Sequence, residues 1–189
     1  MTWKNDQVSR EETEYIVKVA RRCLALRGDF VEMGCYKGDT SLVLAEMAPG
    51  RLYIYDSFEG LPEKSGADES ALGTEFRAGE LFVTKREVKE RFLRAGLRVP
   101  VIKKAWFSDL TSADMPERVA FAFLDGDFYE SIRDSLELVG GLMVSSGVIL
   151  VHDYNNLALP GVRQAVDEWA KARGVEVRRA VGSMCEVIF

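Results

Sequence analysis

Residues 29–41 read DFVEMGCYKGDTS, and this stretch decides the fold of the chain. Residues 29–33 predict a short buried strand, and residues 40–47 predict the helix that follows it. Between them, Gly34 allows a sharp turn and a close approach of the backbone to a ligand, and Gly38 does the same at the start of the helix. The spacing is GxxxG instead of the GxGxxG of a pyrophosphate loop, so it indicates a strand, a loop and a helix more firmly than any one ligand.

The alternation of strands and helices continues through the chain. Apolar runs predict further strands at 52–55, 99–103, 119–124, 148–151, 176–180 and 185–189. Alternation of this kind implies a parallel sheet with right-handed crossovers, but the last two strands are joined at Gly182 as a hairpin, so one of them must run antiparallel. We therefore predict one α/β domain over residues 1–189. Its Rossmann-like sheet is seven-stranded and mostly parallel, with a C-terminal antiparallel hairpin and helices on both faces.

Composition excludes several classes of protein. The net charge is −5, and the basic residues are interleaved with acidic ones, which disfavours a nucleic-acid partner. No apolar run approaches the roughly 20 residues of a membrane span, and the polar N-terminus does not resemble a signal peptide, so we expect a cytoplasmic protein without a membrane partner. The three cysteines, Cys23, Cys35 and Cys185, form no CxxC motif and indicate neither a disulfide framework nor a zinc knuckle.

Two segments outside the predicted strands have a recognisable pattern. Ser9 and Glu12 have the spacing of a capping box at the start of the first helix. Residues 60–80 are rich in glycine, glutamate, serine and alanine and lack a clear period. Loops of this length inside compact domains are usually lids or binding loops, or else disordered, and we interpret this one as a lid loop.

Acidic residues follow three of the predicted strands. Asp56 ends the second strand, 22 positions beyond Gly34, where an acid accepts hydrogen bonds from ribose hydroxyls in doubly wound folds. The same geometry serves NAD-dependent oxidoreductases, so Asp56 predicts a nucleoside ligand without naming it. Asp125 and Asp153 end two later strands, which lie about 4.8 Å apart if they are neighbours. Two carboxylates placed so close repel each other, and a hard divalent cation between them would relieve the repulsion.

At this point the sequence resembles a known family. The segments FVEMGCYKGDTS, YIYDSFEGLP, KAWFSDL, LDGDFYESI and GVILVHDYNNLALPGVRQAVDEW are similar, in the family's order from Phe30 to Trp169, to the TylF/macrocin O-methyltransferase family. The resemblance implies a class I methyltransferase fold that uses S-adenosyl-L-methionine (SAM) and Mg²⁺. It also implies methylation of a small-molecule hydroxyl, on a sugar moiety of a natural product.

The resemblance assigns roles residue by residue. The loop after the first strand would hold the methionine part of the cofactor, the end of the second strand the ribose, and the aromatic pair after the third strand the adenine. The predicted cofactor-binding residues are Glu32, Gly34, Cys35, Tyr36, Gly38, Thr40, Ser41, Asp56, Ser57, Phe58, Trp106, Phe107 and Asp125. An aromatic face at Trp106 is chemically suited to stacking on adenine.

The metal site is where the chain departs from the family pattern. The resemblance places Mg²⁺ on Asp125 and Asp153, but His152 stands where the family often has an aspartate. His152, Asp127 and Asn155 are all candidates for the third ligand, and an imidazole ligand would favour manganese, iron or zinc over magnesium. His152 is the only histidine and our preferred general base, with Asp125 and Asp127 as alternatives.

The sequence leaves other functions open. The acceptor could be a catechol-type phenol instead of a sugar, and the fold could belong to an NAD-dependent oxidoreductase or to a protein that binds without catalysis. Family members often carry additional N-terminal helices that enclose a large acceptor, whereas this chain reaches its first strand by Asp29. The acceptor pocket is therefore expected to come from residues 60–79, from the first helix, or from the partner subunit of a homodimer.

Overall fold

The computed structural model describes residues 7–73 and 76–189. Its strands are β1 (Asp29–Met33), β2 (Leu52–Asp56), β3 (Val101–Lys104), β4 (Val119–Leu124), β5 (Met143–Val151), β6 (Val177–Arg179) and β7 (Cys185–Ile188). Its α-helices are α1 (Arg10–Cys23), α2 (Asp39–Met47), α3 (Lys85–Arg94), α4 (Tyr129–Gly140) and α5 (Pro160–Arg173). Residues 1–6 of the predicted domain and residues 74 and 75 of the predicted lid loop lie outside the described residues.

The strands form one sheet in the order β3-β2-β1-β4-β5-β7-β6. β1 to β5 are parallel, whereas β7 runs antiparallel between β5 and β6. The predicted Rossmann-like sheet with a reversed C-terminal hairpin is therefore confirmed. The chain leaves β1 toward β2 and leaves β4 toward β5, so the loops after β1 and β4 diverge and open a crevice, which is where ligands bind in doubly wound sheets.

Strand β5 differs most from its prediction. It starts at Met143, five residues before the predicted start, and Met143 pairs with Val119. The pairing register shifts between Val119 and Phe121, and Ser146 has a φ of 66°. Because two exposed serines occupy this irregular part of the strand, the segment lacks the apolar run on which the sequence prediction depends.

The sheet separates two cores, and single strands contribute to both. Phe30 of β1 packs in the core beneath α1, α2 and α3, whereas the next residue, Val31, packs in the core beneath α4 and α5. Both side chains are fully buried. Burial of one such side chain stabilises the fold by about 1.5 to 3 kcal/mol, so the period-2 alternation along β1 holds helices to both faces.

Helix α1 confirms the predicted capping box. The Ser9 hydroxyl accepts from the Glu12 amide at 3.2 Å, and a Glu12 carboxylate oxygen accepts from the Ser9 amide at 2.9 Å. Apolar residues at helical spacing, Ile16 and Val19 among them, are fully buried against the sheet. Among residues 7–73 and 76–189, no helix has the length and apolar character needed to cross a bilayer.

Hydrogen bonds close the base of the loop over residues 60–80 and attach the loop to helix α4. At its base, the Leu61 amide donates to the carbonyl of Glu80 at 2.8 Å, and the Gly79 amide donates to the carbonyl of Leu61 at 2.9 Å. Farther along, the fully buried Asp68 accepts from the amide of Tyr129 at 2.7 Å. Tyr129 is the first residue of α4, and that helix has no cap from its own N-cap side chain, so the loop supplies the cap.

Gly34 is required by its neighbouring strand. Its φ is +86°, and a Cβ at this position would lie 2.0 Å from the carbonyl oxygen of Asp125. That oxygen belongs to the backbone at the end of β4, so it cannot move aside as a flexible side chain could. The sequence predicts close approach of a ligand at Gly34, and the structure adds a close approach between the β1 and β4 loops.

We expect Gly34→Ala to destabilise the protein by at least about 3 kcal/mol, because it combines a positive φ with a backbone clash. Differential scanning fluorimetry should then show a Tm lower by roughly 10 °C. Gly141→Ala is the matched control, since its φ is −75° and a methyl group on its Cα would meet no other part of the described chain within 4 Å. A Gly34→Ala protein that melts with the wild type would contradict this interpretation.

Candidate active site

One cavity of about 1180 Å³, including its open mouth, lies over the carboxyl ends of β1, β2, β4 and β5. The loop after β1 forms one wall, and the ends of β4 and β5 form the other. Between them, the cavity reaches the segment after β3 and the loop over residues 60–80. The position is the crevice that the strand order predicts.

Asp56 organises the wall after β1. One of its carboxylate oxygens accepts from the amides of Cys35 at 2.8 Å and Tyr36 at 3.3 Å, and the other accepts from the amide of Phe58 at 2.7 Å. Tyr36 and Phe58 both have positive φ values, 43° and 50°, so the carboxylate stabilises two turns that are strained for residues with side chains. Asp56 also lines the cavity, and its role in ribose binding stays a prediction.

Glu32 lies beneath the same loop and is 1% exposed. Ser41, at the start of α2, donates a hydrogen bond to its carboxyl group. Burial raises the pKa of Glu32 to about 8, and the charges of Asp125 and Asp56 act in the same direction, whereas the hydrogen bond from Ser41 opposes them. Because Glu32 lines the cavity, a cationic ligand there would meet a carboxyl group that it can help to ionise.

The segment after β3 supplies aromatic surface. Trp106 and Phe107 both line the cavity and are partly exposed, which suits them to a planar ligand. A Cβ at Gly126 would lie 3.4 Å from the Phe107 ring, so the small residue after Asp125 makes room for that ring. The predicted adenine-binding pair therefore reaches the cavity, and its contact with adenine stays a prediction.

Three candidate ligands meet at the other wall. The His152 Nδ1 atom lies 3.1 Å from an Asp125 oxygen and 3.0 Å from an Asp153 oxygen. One donor atom from each of the three side chains lies within 4.8 Å of the others. β4 and β5 are paired neighbours, with Leu124 opposite Val151, and this explains why their last residues converge.

The charges around His152 change its protonation. Burial lowers the pKa of His152, but the charge of Asp125, hydrogen bonds with Asp125 and Asp153, and the nearby carboxylate of Glu12 outweigh burial and raise that pKa well above its ordinary value of 6.5. Burial raises the pKa of Glu12, yet the nearby imidazole of His152 and hydrogen bonds from Ser183 and Ser9 hold that pKa well below its usual range. In the protein without a cation, an imidazolium therefore neutralises part of the acidic cluster.

Asp127 and Asn156 complete this wall. Asn156 donates to the second oxygen of Asp153 at 2.9 Å, whereas the candidate ligand Asn155 points its amide at the carbonyl of Met184, 3.5 Å away. Asp127 has a φ of 61° and lines the cavity. Burial, together with the charges of Asp125 and Asp153, raises the pKa of Asp127 well above its usual range.

The structure brings most of the predicted site residues to the cavity. Those that line it are Glu32, Gly34, Cys35, Tyr36, Thr40, Asp56, Ser57, Trp106, Phe107, Asp125, His152 and Asp153. Gly38, Ser41 and Phe58 are not among the lining residues and support the loop from behind, Ser41 through Glu32 and Phe58 through Asp56.

Sequence reasoning misses several lining residues. Leu61, Pro62, Phe76 and Leu81 come from the loop over residues 60–80 or its end and give that side of the cavity an apolar surface. Because apolar residues in that loop have no regular spacing, the sequence pattern does not indicate which of them face the cavity. The sequence indicates Glu12 only as a helix cap, because nothing local shows that helix α1 reaches His152.

Solved structures place this fold in a known class. The chain matches the O-methyltransferase NovP with a TM-score of 0.80 at 24% identity, over 93% of this chain and 78% of that one. It matches an O-methyltransferase from Bacillus cereus in complex with S-adenosylhomocysteine (SAH) with a TM-score of 0.67 at 15% identity, over 99% of this chain and 84% of that one. The fold is that of the class I SAM-dependent methyltransferases.

Sequence comparison identifies the family of this chain. The family model for macrocin-O-methyltransferase (TylF) matches residues 13–181, and the chain belongs to this family. A curated relative from Streptomyces olivaceus, 8-demethyl-8-(2,3-dimethoxy-alpha-L-rhamnosyl)-tetracenomycin-C 4'-O-methyltransferase, is 34% identical over 160 residues, which are 78% of this chain and 60% of the relative. The chain spans 58% to 62% of the length of the curated relatives it matches.

We expect Glu32→Gln to stabilise the protein in a pH-dependent way. The folded-state pKa of Glu32 lies above its ordinary value of 4.5, so the wild type loses stability as the pH rises from about 4.5 to about 8. Glutamine does not ionise, so by pH 8 the free energy of unfolding of the variant should exceed that of the wild type by on the order of 4 kcal/mol. Melting curves from pH 5 to pH 8 measure this difference.

The control for this experiment is Glu46→Gln, an exposed glutamate on the same helix as Ser41. Its melting difference from the wild type should not change across the range. A Glu32→Gln difference that is equally independent of pH would show that Glu32 is ionised in the folded protein.

Proposed function

We propose that this chain is a metal-dependent SAM O-methyltransferase. Its acceptor would be a hydroxyl on the sugar moiety of a small-molecule natural product. The observation that carries the proposal is that one cavity joins a nucleoside-type wall, built on Asp56, to an acidic wall with Asp125, His152 and Asp153. The family and the relative named as a 4'-O-methyltransferase of a rhamnosyl compound support it.

The wall after β1 supports SAM over a nicotinamide cofactor. The turn from Gly34 to Gly38 has no phosphate-cradling GxGxxG sequence, and the reversed strand β7 departs from the parallel sixth strand of a dinucleotide-binding sheet. Glu32 offers a carboxyl group toward a cationic ligand, and SAM carries a sulfonium and an ammonium. The neighbour from Bacillus cereus, solved with SAH, supports the same cofactor.

The acidic wall fits a divalent cation. Ligands at right angles around an ion, each about 2.1 Å from it, are about 3.0 Å apart. The Nδ1 atom of His152 is 3.1 Å and 3.0 Å from oxygens of Asp125 and Asp153, so these three residues would hold the ion. Mg²⁺ is the family's metal by resemblance, and the imidazole nitrogen favours Mn²⁺ over it. A cation bound there would lower the pKa of the acceptor hydroxyl, and SAM would supply the methyl group.

The geometry favours Asp127 as the general base. Both ring nitrogens of His152 face carboxylates of the protein, so its predicted role as base has less support than its role as a ligand. Asp127 lines the cavity beside Asp125, and burial with the charges of Asp125 and Asp153 raises its pKa, so its carboxylate is a stronger base than an exposed aspartate. Asp127 would take the hydroxyl proton as the new O–CH3 bond forms and the S–CH3 bond breaks.

The acceptor would lie toward the apolar residues of the loop over residues 60–80. Leu61, Phe76 and Leu81 can cover one face of a ring, and the rhamnosyl relative favours a sugar over a catechol-type phenol. We keep the homodimer as part of the proposal, with the partner subunit closing the open side of the cavity. Light scattering that shows an active monomer would remove the partner from it.

We expect SAH to raise the Tm because it binds only the folded protein. At 100 times its Kd, SAH should raise the free energy of unfolding by about 2.7 kcal/mol, which corresponds to a Tm increase of roughly 5 to 10 °C for a chain of this size. NAD⁺ at the same concentration is the control and should leave the Tm unchanged. A shift with NAD⁺ and none with millimolar SAH would overturn the methyltransferase proposal.

We expect Asp127→Asn and Asp153→Ala to fail in different ways. Asp127→Asn removes the base and should lower kcat by about 10² to 10⁴ while SAH and Mn²⁺ still bind. Asp153→Ala removes a ligand and should abolish both Mn²⁺ binding and cation-dependent turnover. Turnover with labelled SAM and an acceptor panel, together with Mn²⁺ titrations, distinguishes the two.

Exposed Asp109→Asn is the control for both variants. Full activity of Asp127→Asn would remove Asp127 as the base. Full activity of Asp153→Ala in the presence of a chelator would remove the cation from the proposal.

A further inference from the structure

The two nitrogens of His152 face different parts of the protein. Nδ1 faces Asp125 and Asp153, at the acidic wall of the cavity. Nε2 is buried on the opposite side of the ring, and the nearest carboxylate oxygen is Glu12 Oε1, 3.6 Å away in helix α1. Within residues 7–73 and 76–189, this buried nitrogen has no hydrogen-bond partner.

Glu12 is held rigidly at this place. Its Oε1 atom accepts from the amide and the hydroxyl of Ser183, each at 2.9 Å, and its Oε2 atom accepts from the amide of Ser9 at 2.9 Å. Only 6% of the residue is exposed. The side chain is therefore fixed by groups that lie more than 170 residues apart in sequence.

The hairpin between β6 and β7 is shaped around the same carboxylate. Gly182 has a φ of +62°, and a Cβ there would lie 2.3 Å from Glu12 Oε1. A side chain at Gly182 would displace the carboxylate from His152. The turn thus forms a cradle that fits Glu12 closely.

Nδ1 also faces carboxylates, but in a loaded site those of Asp125 and Asp153 would be engaged by the cation, which leaves the carboxylate beside Nε2 to decide which nitrogen carries the proton of a neutral imidazole. A carboxylate only accepts hydrogen bonds, so it stabilises a proton on Nε2 and leaves the lone pair on Nδ1. Carboxylate–histidine–metal arrangements work in this way, because the carboxylate fixes both the tautomer and the orientation of the ring. Here the lone pair would point at the position between Asp125 and Asp153.

We propose that Glu12 is a positioning residue that makes His152 an Nδ1 ligand of the divalent cation held with Asp125 and Asp153. The inference rests on the cation site of the proposed function and adds that this site uses a nitrogen donor selected from helix α1. The site should therefore bind Mn²⁺ more tightly than Mg²⁺, since imidazole suits the transition metal better.

The test measures Mn²⁺ binding by electron paramagnetic resonance with the full chain, without activity. Glu12→Gln should weaken Mn²⁺ binding by about 10- to 100-fold. Glu186→Gln is the matched control: Glu186 is also a buried carboxylate that joins α1 to the hairpin, through the Tyr15 hydroxyl at 2.9 Å, and its hydrogen bond does not involve His152. Its Mn²⁺ affinity should equal that of the wild type.

A second background isolates the histidine. In His152→Asp, all three ligands are oxygens, so adding Glu12→Gln should no longer weaken Mn²⁺ binding. An equal loss in both backgrounds would show that Glu12 acts only on the stability of the hairpin and would overturn the proposal.

A spectroscopic measurement on the wild type does not depend on any variant folding. His152 is the chain's only histidine, so ¹⁵N-histidine labelling of untagged protein gives one pair of ring-nitrogen resonances. With Mg²⁺ or Zn²⁺ bound, the proton should lie on Nε2, and Nδ1 should carry none. A proton on Nδ1 in the cation-saturated protein overturns the inference, whereas a wild type that binds no divalent cation overturns the proposed cation site itself.

Discussion

The close approach of Gly34 to the backbone of Asp125 sets the spacing of the whole site. β1 and β4 are adjacent strands, and the loop after β1 approaches the backbone of Asp125 this closely because Gly34 lacks a side chain. This contact places the nucleoside-type wall beside the acidic wall at a fixed distance. A group transfer from a bound cofactor to an acceptor hydroxyl requires a fixed distance between the two, because a displacement of 1 Å can lower the rate about 100-fold.

Much of the fold could be predicted from local sequence, and the reasons are physical. The residues of β4 are apolar on both faces and those of β1 are mostly buried, because helices cover both faces of the sheet, and the predicted and observed limits of these two strands coincide. The two serines of β5 contribute no apolar signal, and the prediction for that strand is five residues short. The reversal at Gly182 was predictable because a short glycine-containing turn can only join antiparallel strands.

The candidate site was likewise predictable only in part. Asp56 and Asp153 follow strands, so their positions at the sheet edge follow from strand order alone. Other contacts around the site come from distant segments: Asp68 caps α4 across 61 residues, and Glu12 meets Ser183 across 171. No local period records such contacts, and a single sequence cannot reveal them. The positive φ values of Asp127 and Asp153 are equally hidden, because aspartate tolerates that conformation without a sequence signature.

The cap that Asp68 provides to α4 links the loop over residues 60–80 to a helix that begins next to Asp127. The amide of Tyr129 has its hydrogen bond only while the loop is docked, so the exchange of that one amide proton with solvent reports the opening of the loop. This hydrogen bond couples the loop to the start of α4. If the loop over residues 60–80 opened to admit an acceptor, the start of α4 would lose this cap and the backbone next to Asp127 would become less ordered. Closing of the loop would restore the cap.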